Sequence, residues 1–391
     1  MTSVGSILLG VPVVLVMYTY ALYPLMLWVM AMGRSPADAP ERQTPLVSIV
    51  LPAYNEEVQI RGAIEALLAQ DYPAECLQIL VLSDASTDKT DEIVREYSDR
   101  GVELLRMSTR SGKTAAENAS CALLRGEIVI NTDSSVRLHP AAVGRLVQAM
   151  ADPSIGVAST SDVSVSRDSA TANTAEAGYV GYEMRIRELE TLTGGIVGAS
   201  GSGYAIRESL HRLPVRADLS RDFSAALTAR THGYRSVSVN DALCYVPRTT
   251  SLKAEYRRKV RTMARGMETL LHNQRLLDPS EFGSFSWKLF SHKICRWLVP
   301  ASVVVGSVGL TVMATHHAWA AGILGCVVLV LLLAAIGARW PSSRRLPRFL
   351  SLVSFSVAAN LAVLHAILRV LLGYDDHLWE PTRRSASIPH L

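Results

Sequence analysis

The chain has little of what marks a secreted, metal-stapled or nucleic-acid-binding protein. It has five cysteines in 391 residues, Cys76, Cys121, Cys244, Cys295 and Cys326, and none stands in a C-x-x-C or Cys/His metal spacing. An odd, scattered set gives no disulfide framework and no zinc site, and it reads as reduced packing residues. Charged residues make up 19% of the chain, aromatic residues 6%, and the formal net charge is +4. So mild an excess gives no electrostatic footprint for nucleic acid. No internal repeat and no low-complexity tract is present, which excludes a solenoid. Residues Met1–Ser6 carry no Lys or Arg. The apolar stretch that follows therefore lacks the basic flank of a signal peptide and reads as a retained membrane helix.

What is abundant is apolar surface, 49% of residues, concentrated at the two ends. Ser6–Met32 carries no charge, and a spanning helix needs about 20 such residues. Tyr18, Tyr20, Tyr23 and Trp28 suit interface anchors. Three more runs of spanning length follow at Ile294–Met313, Trp319–Ala338 and Phe349–Leu372. Phe285–Trp297 mixes Trp287, Phe290 and Trp297 with Lys288, His292, Lys293 and Arg296, as an interfacial helix does. The expected division is a transmembrane helix (1–33), a linker (34–45), a soluble domain (46–272), an interfacial region (273–293), three transmembrane helices (294–372) and a tail (373–391). The loop Arg339–Arg348 holds four arginines and no acid, which marks it as cytoplasmic. That puts the soluble domain in the cytoplasm and the tail outside.

In the soluble domain, strands are expected at Leu46–Ala53, Leu77–Leu82, Val102–Met107, Glu127–Asn131 and Ser236–Val239. Helices are expected at Glu56–Gln70, Asp88–Tyr97, Thr114–Leu124, Tyr179–Leu192, Ser220–Thr231 and Leu252–Leu271. The alternation predicts βαβ units and a mostly parallel sheet, whose ligands sit at the carboxyl ends of the strands. Asp84 and Asp133 each close such a strand. A carboxylate there, followed by small residues, can hold a divalent cation, because Mg²⁺ takes one or two carboxylates and leaves its other positions to phosphate and water. The alternative for Asp133 is a cap on the helix starting near His139. Ser111-Gly-Lys-Thr114 ends like a nucleotide-triphosphate loop, but Met107 stands where that motif needs glycine.

Four motifs follow one another in register: Val47-Ser-Ile-Val-Leu-Pro-Ala-Tyr-Asn-Glu-Glu57, Val81-Leu-Ser-Asp-Ala-Ser-Thr-Asp-Lys-Thr90, Ser111-Gly-Lys-Thr-Ala-Ala-Glu-Asn118 and Asn131-Thr-Asp-Ser-Ser135. Over about Val47–Met267 this order resembles the membrane-bound bacterial family-2 glycosyltransferases. The resemblance implies an α/β fold: a GT-A (Rossmann-like) cytoplasmic domain with a mixed, mostly parallel sheet, beside α-helical transmembrane segments in a bacterial inner membrane. It implies inverting transfer from a nucleotide-diphosphate sugar, UDP-sugars first, with Mg²⁺ or Mn²⁺. It assigns Pro52, Tyr54, Asn55, Glu56, Asp84, Lys113 and Asp133 to the nucleotide sugar, and Asp133 with Ser135 to the metal. Asn55 alternatively caps the next helix, and Asp88 caps the helix it precedes. Ala85 stands where the family usually has Gly, and Ser135 where its Asp-x-Asp motif has a second carboxylate.

Inversion needs a carboxylate to take the proton from the attacking hydroxyl. Leu219-Ser-Arg-Asp-Phe223 matches the family's base position, which makes Asp222 the base, or merely a helix cap. Arg221 replaces the usual Glu and is expected as a cation beside it. On the basic helix, Arg258-x-x-Arg261-Thr262 stands where processive relatives carry Gln-x-x-Arg-Trp. Arg258 and Arg261 are thus assigned to the diphosphate, or to anionic lipid headgroups, and the tryptophan platform is missing. The loop Gly198–Tyr204, with Gly201, Ser202 and Gly203, is expected under the acceptor, where glycines allow close approach, or as a tight turn only. The acceptor expected is a lipid-linked or membrane-proximal glycan, and a homo-oligomer or export partner is compatible. Two alternatives stand: a processive polysaccharide synthase that extrudes its product, and a non-catalytic scaffold, motivated by Ser135 and Arg221.

Overall fold

The computed structural model describes residues 2–34, 44–165, 172–247, 252–340 and 346–374. Most of the expected linker and tail, and the centre of the arginine loop, lie outside the described residues.

The strands are β1 (Val47–Ala53), β2 (Leu77–Ser83), β3 (Val102–Arg106), β4 (Ile128–Thr132), β5 (Arg137–Leu138), β6 (Ile155–Val165), β7 (Gly203–Arg207) and β8 (Arg235–Pro247). They form one eight-stranded sheet in the order β3-β2-β1-β4-β7-β6-β8-β5. β3, β2, β1 and β4 pair in parallel, while β7 runs antiparallel to both β4 and β6. Every residue of β1 is buried, because helices cover both faces; hence its continuous apolar run instead of alternation. Val47, Ile49 and Leu51 pack on one face with Ile60, Ile64 and Leu146, and Val50 packs on the other with Leu80, Val129 and Ala229. The two sets follow the two-residue period of a strand. Gly126 is required where the chain crosses β1, since a Cβ there would lie 2.4 Å from the Ser48 nitrogen.

β1, β2 and β4 end at one edge of the sheet, and the turns after them face the helices that carry the remaining polar groups. Those that line the cleft are α2 (Lys113–Ser120), α3 (Ala172–Leu192), α4 (Arg221–Thr231), α5 (Leu252–His272) and α6 (Ser284–Ala314), and α1 (Ser3–Ala31), α7 (Ala318–Ala338) and α8 (Arg348–Leu371) are the other long helices among the described residues. The expected strands and helices are present, with ends moved by a few residues and β8 much longer than Ser236–Val239. β5, β6 and β7 were not expected. β6, Ile-Gly-Val-Ala-Ser-Thr-Ser-Asp-Val-Ser-Val, is rich in serine, and its pairing with β7 and β8 supplies what its weak strand propensity does not.

Four helices, α1, α6, α7 and α8, are long and apolar enough to cross a membrane. α1 and α6 approach closely through small residues: a Cβ on Gly309 would lie 2.9 Å from the Gly5 carbonyl oxygen. The expected interfacial helix and the second span are one continuous helix, α6, with a π-helical stretch at Phe290–Cys295. α5 sets its apolar stripe, Val260, Ala264 and Met267, against Ala362 and Ala366 of α8. Tyr256 Oη lies 3.1 Å from His365 Nδ1, and the Lys259 ammonium sits 4.8 Å from the Phe355 ring centre.

Candidate active site

A cleft of about 410 Å³ opens at the carboxyl edge of the sheet. It gathers Glu56, Lys113, Asp133, Ser135, Gly201, Ser202, Asp222, Arg258 and Arg261 from the expected set. Pro52, Tyr54, Asn55, Asp84 and Gly203 are outside its lining.

Asp133 follows β4 directly. Its Oδ1 accepts from Lys113 Nζ at 2.5 Å, with 24% of the Asp133 side chain exposed. It does not cap the helix beyond His139, whose first residue Ala142 follows Ala141 as cap. Burial works against the charge on Lys113, but Asp133 and Glu117 outweigh it and hold the ammonium pKa above its ordinary value. Glu117, one turn along α2, is fully buried, and burial raises its carboxyl pKa against the pull of Lys113 and Arg221.

Arg221 is not beside Asp222. Its guanidinium turns behind α2, donating to Asn118 Oδ1 and, at 2.7 Å, to the His211 carbonyl, with Glu117 Oε2 at 3.9 Å. Consecutive helical side chains diverge by about 100°, so Arg221 points into the wall when Asp222 points into the cleft. Burial, then Arg221, pushes His211 well below its ordinary pKa, leaving a neutral ring 3.1 Å from Asn131 Oδ1.

Asp222 lies in the first turn of α4 and accepts from the Ser220 hydroxyl. The helix cap is Ser220, so Asp222 is not spent on capping. A Cβ on Gly201 would lie 2.9 Å from Asp222 Oδ2, so glycine is what lets the loop pass the carboxylate. Gly203 plays no such part. It begins β7, where a Cβ would meet Thr160 Cγ2 at 2.9 Å, and it is not a wall of the cleft.

The remaining motif residues build the frame. Asp84 is buried and accepts from the Ser111 and Gly112 N–H groups at 2.7 and 2.8 Å, which fixes the loop that presents Lys113. Asn55, at φ 53°, accepts from Thr87 N–H at 2.8 Å and ties the turn after β1 to the turn after β2. It does not cap the next helix, where Gln59 is the cap. Ala85 sits at φ 57°, the left-handed region that favours the glycine usual in the resembling family. Asp88, expected as a cap, stands one residue before the cap position held by Lys89, and accepts from Thr90 N–H at 2.9 Å. The Arg110 guanidinium stacks 3.9 Å from the Tyr54 ring centre.

Sequence reasoning missed the membrane end of the cleft. Asp162 of β6 accepts from Ser200 Oγ at 2.7 Å and from Ser202 Oγ at 3.3 Å. Glu183 of α3 is shared by Arg187 (3.4 Å), His292 (3.0 Å) and Arg296 (2.5 Å). Glu190 accepts from Tyr23 Oη at 2.5 Å and lies 2.7 Å from His292 Nδ1. Lys288 Nζ donates to the carbonyls of Glu190, Thr193 and Gly195 at 3.2, 2.9 and 3.2 Å. This buried network locks α1 and α6 onto α3. Burial opposes the ionisation of Glu183, yet His292 and Arg296 hold it well below its ordinary range. The available signal was the cluster of Lys288, His292, Lys293 and Arg296 ahead of an apolar span, which reads in sequence as an interfacial face.

The sheet is GT-A-like, and a polar cleft opens at its carboxyl edge. Residues 48–212 match the model of the family Glycosyl transferase family 2. It is 33% identical over 111 residues to the probable glycosyltransferase YdaM of Bacillus subtilis (strain 168), covering 27% of this chain and 26% of YdaM. It is 26% identical over 307 residues to an N-acetylglucosaminyltransferase of Rhizobium meliloti (strain 1021), covering 74% of this chain and 71% of that protein. It is 23% identical over 293 residues to the beta-monoglucosyldiacylglycerol synthase of Synechocystis sp., covering 70% of this chain and 60% of that one. The fold matches the mannosyltransferase PcManGT of Pyrobaculum calidifontis, in complex with GDP-Man and Mn²⁺. The TM-score is 0.74 at 19% identity, covering 94% of this chain and 99% of that one.

Proposed function

We propose that the protein transfers a sugar, with inversion, from a nucleoside-diphosphate sugar to an acceptor at the membrane surface. The observation that carries this reading is one cleft that holds the Lys113–Asp133 pair, Arg261 and an uncapped Asp222, and that is walled by α5 and α6. Asp222 takes the proton of the acceptor hydroxyl as its oxygen attacks the anomeric carbon. Lys113 and Arg261 receive the negative charge that grows on the departing diphosphate. Asp84 and Asn55 act through the frame, holding the loop of Lys113 and the turn beside the nucleotide.

Asp133 suits Mg²⁺ or Mn²⁺ as a single protein carboxylate, with Ser135 beside it and the diphosphate as co-ligand. Among the described residues no cluster of three or more His, Cys, Asp or Glu can hold a metal, so affinity depends on the donor. When bound, the ion supplies Lewis-acid stabilisation of the leaving diphosphate. Lys113 competes for the same Asp133 oxygen until the diphosphate offers it another partner.

A single addition is favoured over processive synthesis, because Thr262 lines the cleft where processive relatives carry tryptophan. Product length separates the two: one band against a ladder. The donor reading is tested by nucleotide release from a panel of UDP-, GDP- and dTDP-sugars with Mg²⁺, Mn²⁺ or EDTA. Release by one donor, lost in EDTA and in Asp133→Ala, supports it, and release that survives EDTA sinks the metal role. Turnover that persists in Asp222→Asn removes the base, and silence in every donor favours the scaffold.

The catalytic domain is read as cytoplasmic, on a bacterial inner membrane. The turns of α5 that touch α8 also carry Arg258, Lys259 and Arg261, which line the cleft. A charge at a bilayer centre costs about 2.5–3.5 kcal/mol or more, so α8 lies along the membrane surface. The chain then ends on the cytoplasmic side, against the simple alternation of four spans. A C-terminal reporter active outside the membrane would overturn this.

A further inference from the structure

We propose that Lys293 is an anion subsite that holds the phosphate of a hydroxyl-bearing anionic lipid, the acceptor; this rests on the donor reading above. Lys293 belongs to the π-helical stretch of α6 and lines the membrane end of the cleft. Its ammonium lies 5.3 Å from the Phe223 ring centre, and 3.5 Å from where a Cβ on Gly198 would stand.

The carboxylates nearest it turn to other partners. Glu183 serves Arg187, His292 and Arg296, Glu190 Oε1 serves Tyr23 and His292, and Asp162 serves Ser200 and Ser202; Glu190 Oε2 is buried without a hydrogen bond but does not pair with Lys293. Lys113 has Asp133 at 2.5 Å, whereas Lys293 has no carboxylate oxygen within 4.0 Å among the described residues. A half-buried ammonium without a counter-ion is costly, and a ligand anion removes that cost.

The anion is not the donor's diphosphate. Lys113 opens α2 and pairs with Asp133 at the end of β4, while Lys293 lies on α6 beside Phe223 and Gly198, so the two lysines hold different walls of the cleft. Lys293 nevertheless stands near the base. Phe223 follows Asp222, and the loop from Gly198 to Gly201 runs from the Lys293 ammonium to the Asp222 carboxylate. A hydroxyl a few bonds from a phosphate on Lys293 therefore reaches Asp222.

The depth points to a lipid. Lys293 and Trp297 line the cleft where α6 passes into its apolar run, so a ligand held at Lys293 has apolar helix surface beside it. In the reaction the lipid hydroxyl oxygen bonds to the anomeric carbon, the bond from that carbon to the diphosphate breaks, and the diphosphate leaves with the electron pair. The hydroxyl proton goes to Asp222, and the phosphate on Lys293 is unchanged.

The test uses the full chain in phosphatidylcholine vesicles with the donor found by nucleotide release. The acceptors are dioleoylglycerol, phosphatidylglycerol, a polyprenyl-diphosphate-linked sugar and soluble glycerol 3-phosphate. Transfer to an anionic lipid should exceed transfer to dioleoylglycerol by roughly ten- to a hundredfold, the worth of one charge-assisted contact. Lys293→Met should erase that preference, chiefly through acceptor KM, and Lys293→Arg should keep most of it. This wild-type preference needs no variant, so a misfolded mutant does not shield the proposal. Equal transfer to both lipids, a preference surviving in Lys293→Met, or an equal loss on neutral and anionic lipids overturns it. Soluble glycerol 3-phosphate matching the lipids overturns the lipid half. Donor hydrolysis with no lipid product overturns the acceptor assignment and leaves the donor reading standing, whereas no hydrolysis of any donor sinks both.

Discussion

The two ends of the cleft use the same residue types to opposite purposes. At the sheet end, Asp133 and Lys113 pair while each keeps about a fifth of its side chain exposed, 24% and 20%, so a ligand can separate them. At the membrane end, Glu183 and Glu190 are enclosed by α1, α3 and α6: Glu183 is committed to three cationic side chains, and Glu190 Oε1 to Tyr23 and His292, while Glu190 Oε2 is buried without a hydrogen bond. Access decides which arrangement is chemistry and which is structure. A pair open to the cleft can exchange partners with a ligand, whereas breaking a fully enclosed pair strands a charge.

Four changes test this contrast, in falling order of effect. Asp222→Asn should lower transfer about 10²–10⁴-fold, the range of a lost general base, while the donor dissociation constant stays close to wild type. Retained transfer would place the base elsewhere.

Glu183→Gln should cost about 3–5 kcal/mol of stability by leaving His292, Arg187 and Arg296 without their shared anion. Thermal unfolding in lipid nanodiscs reads it, and an unchanged midpoint would show that the network is not what joins the domain to α6. Gly201→Ala forces Asp222 or the loop to shift and should lower kcat roughly ten- to a hundredfold, as misplacement of a reacting group does. Its unfolding midpoint should stay at the wild-type value. A normal kcat would mean the carboxylate has room that the 2.9 Å approach denies.

The smallest effect is on pH. Glu183 is held well below its ordinary 4.5. Its contribution is therefore complete above that pH and is lost progressively as the pH falls toward the depressed folded value. The unfolding midpoint should drop on acidification below about 4.5, and more steeply in wild type than in Glu183→Gln. Equal slopes would remove Glu183 from the acid response.

Much of the sheet end was legible because its information is local. Lys113 opens a helix, Asp133 closes a strand, Asp222 opens another helix, and a few neighbouring residues identify each. The same locality misled over Arg221, where chain adjacency to Asp222 was taken for spatial adjacency. It also misled over Gly203, which a strand claims. Asp84 and Asn55 were expected to bind the nucleotide sugar, whereas in the fold Asp84 accepts from the Ser111 and Gly112 N–H groups and Asn55 from Thr87 N–H. Asp162, Glu183 and Lys293 carried no motif. Asp162 sits in a strand whose serine-rich sequence does not announce it, and Glu183 looks like one more charge on a polar helix.

The amino-acid order by itself determined the alternation of strands and helices, the four apolar segments and the family signature, since each depends on residues within a turn or two of one another. Only the tertiary structure decided that α6 is one helix through the expected boundary, that α8 runs beside α5, and that Tyr23 reaches Glu190, 167 positions away. Those arrangements follow from where buried charges find partners and where apolar stripes find cover. Both are settled by packing in three dimensions, which no local pattern records.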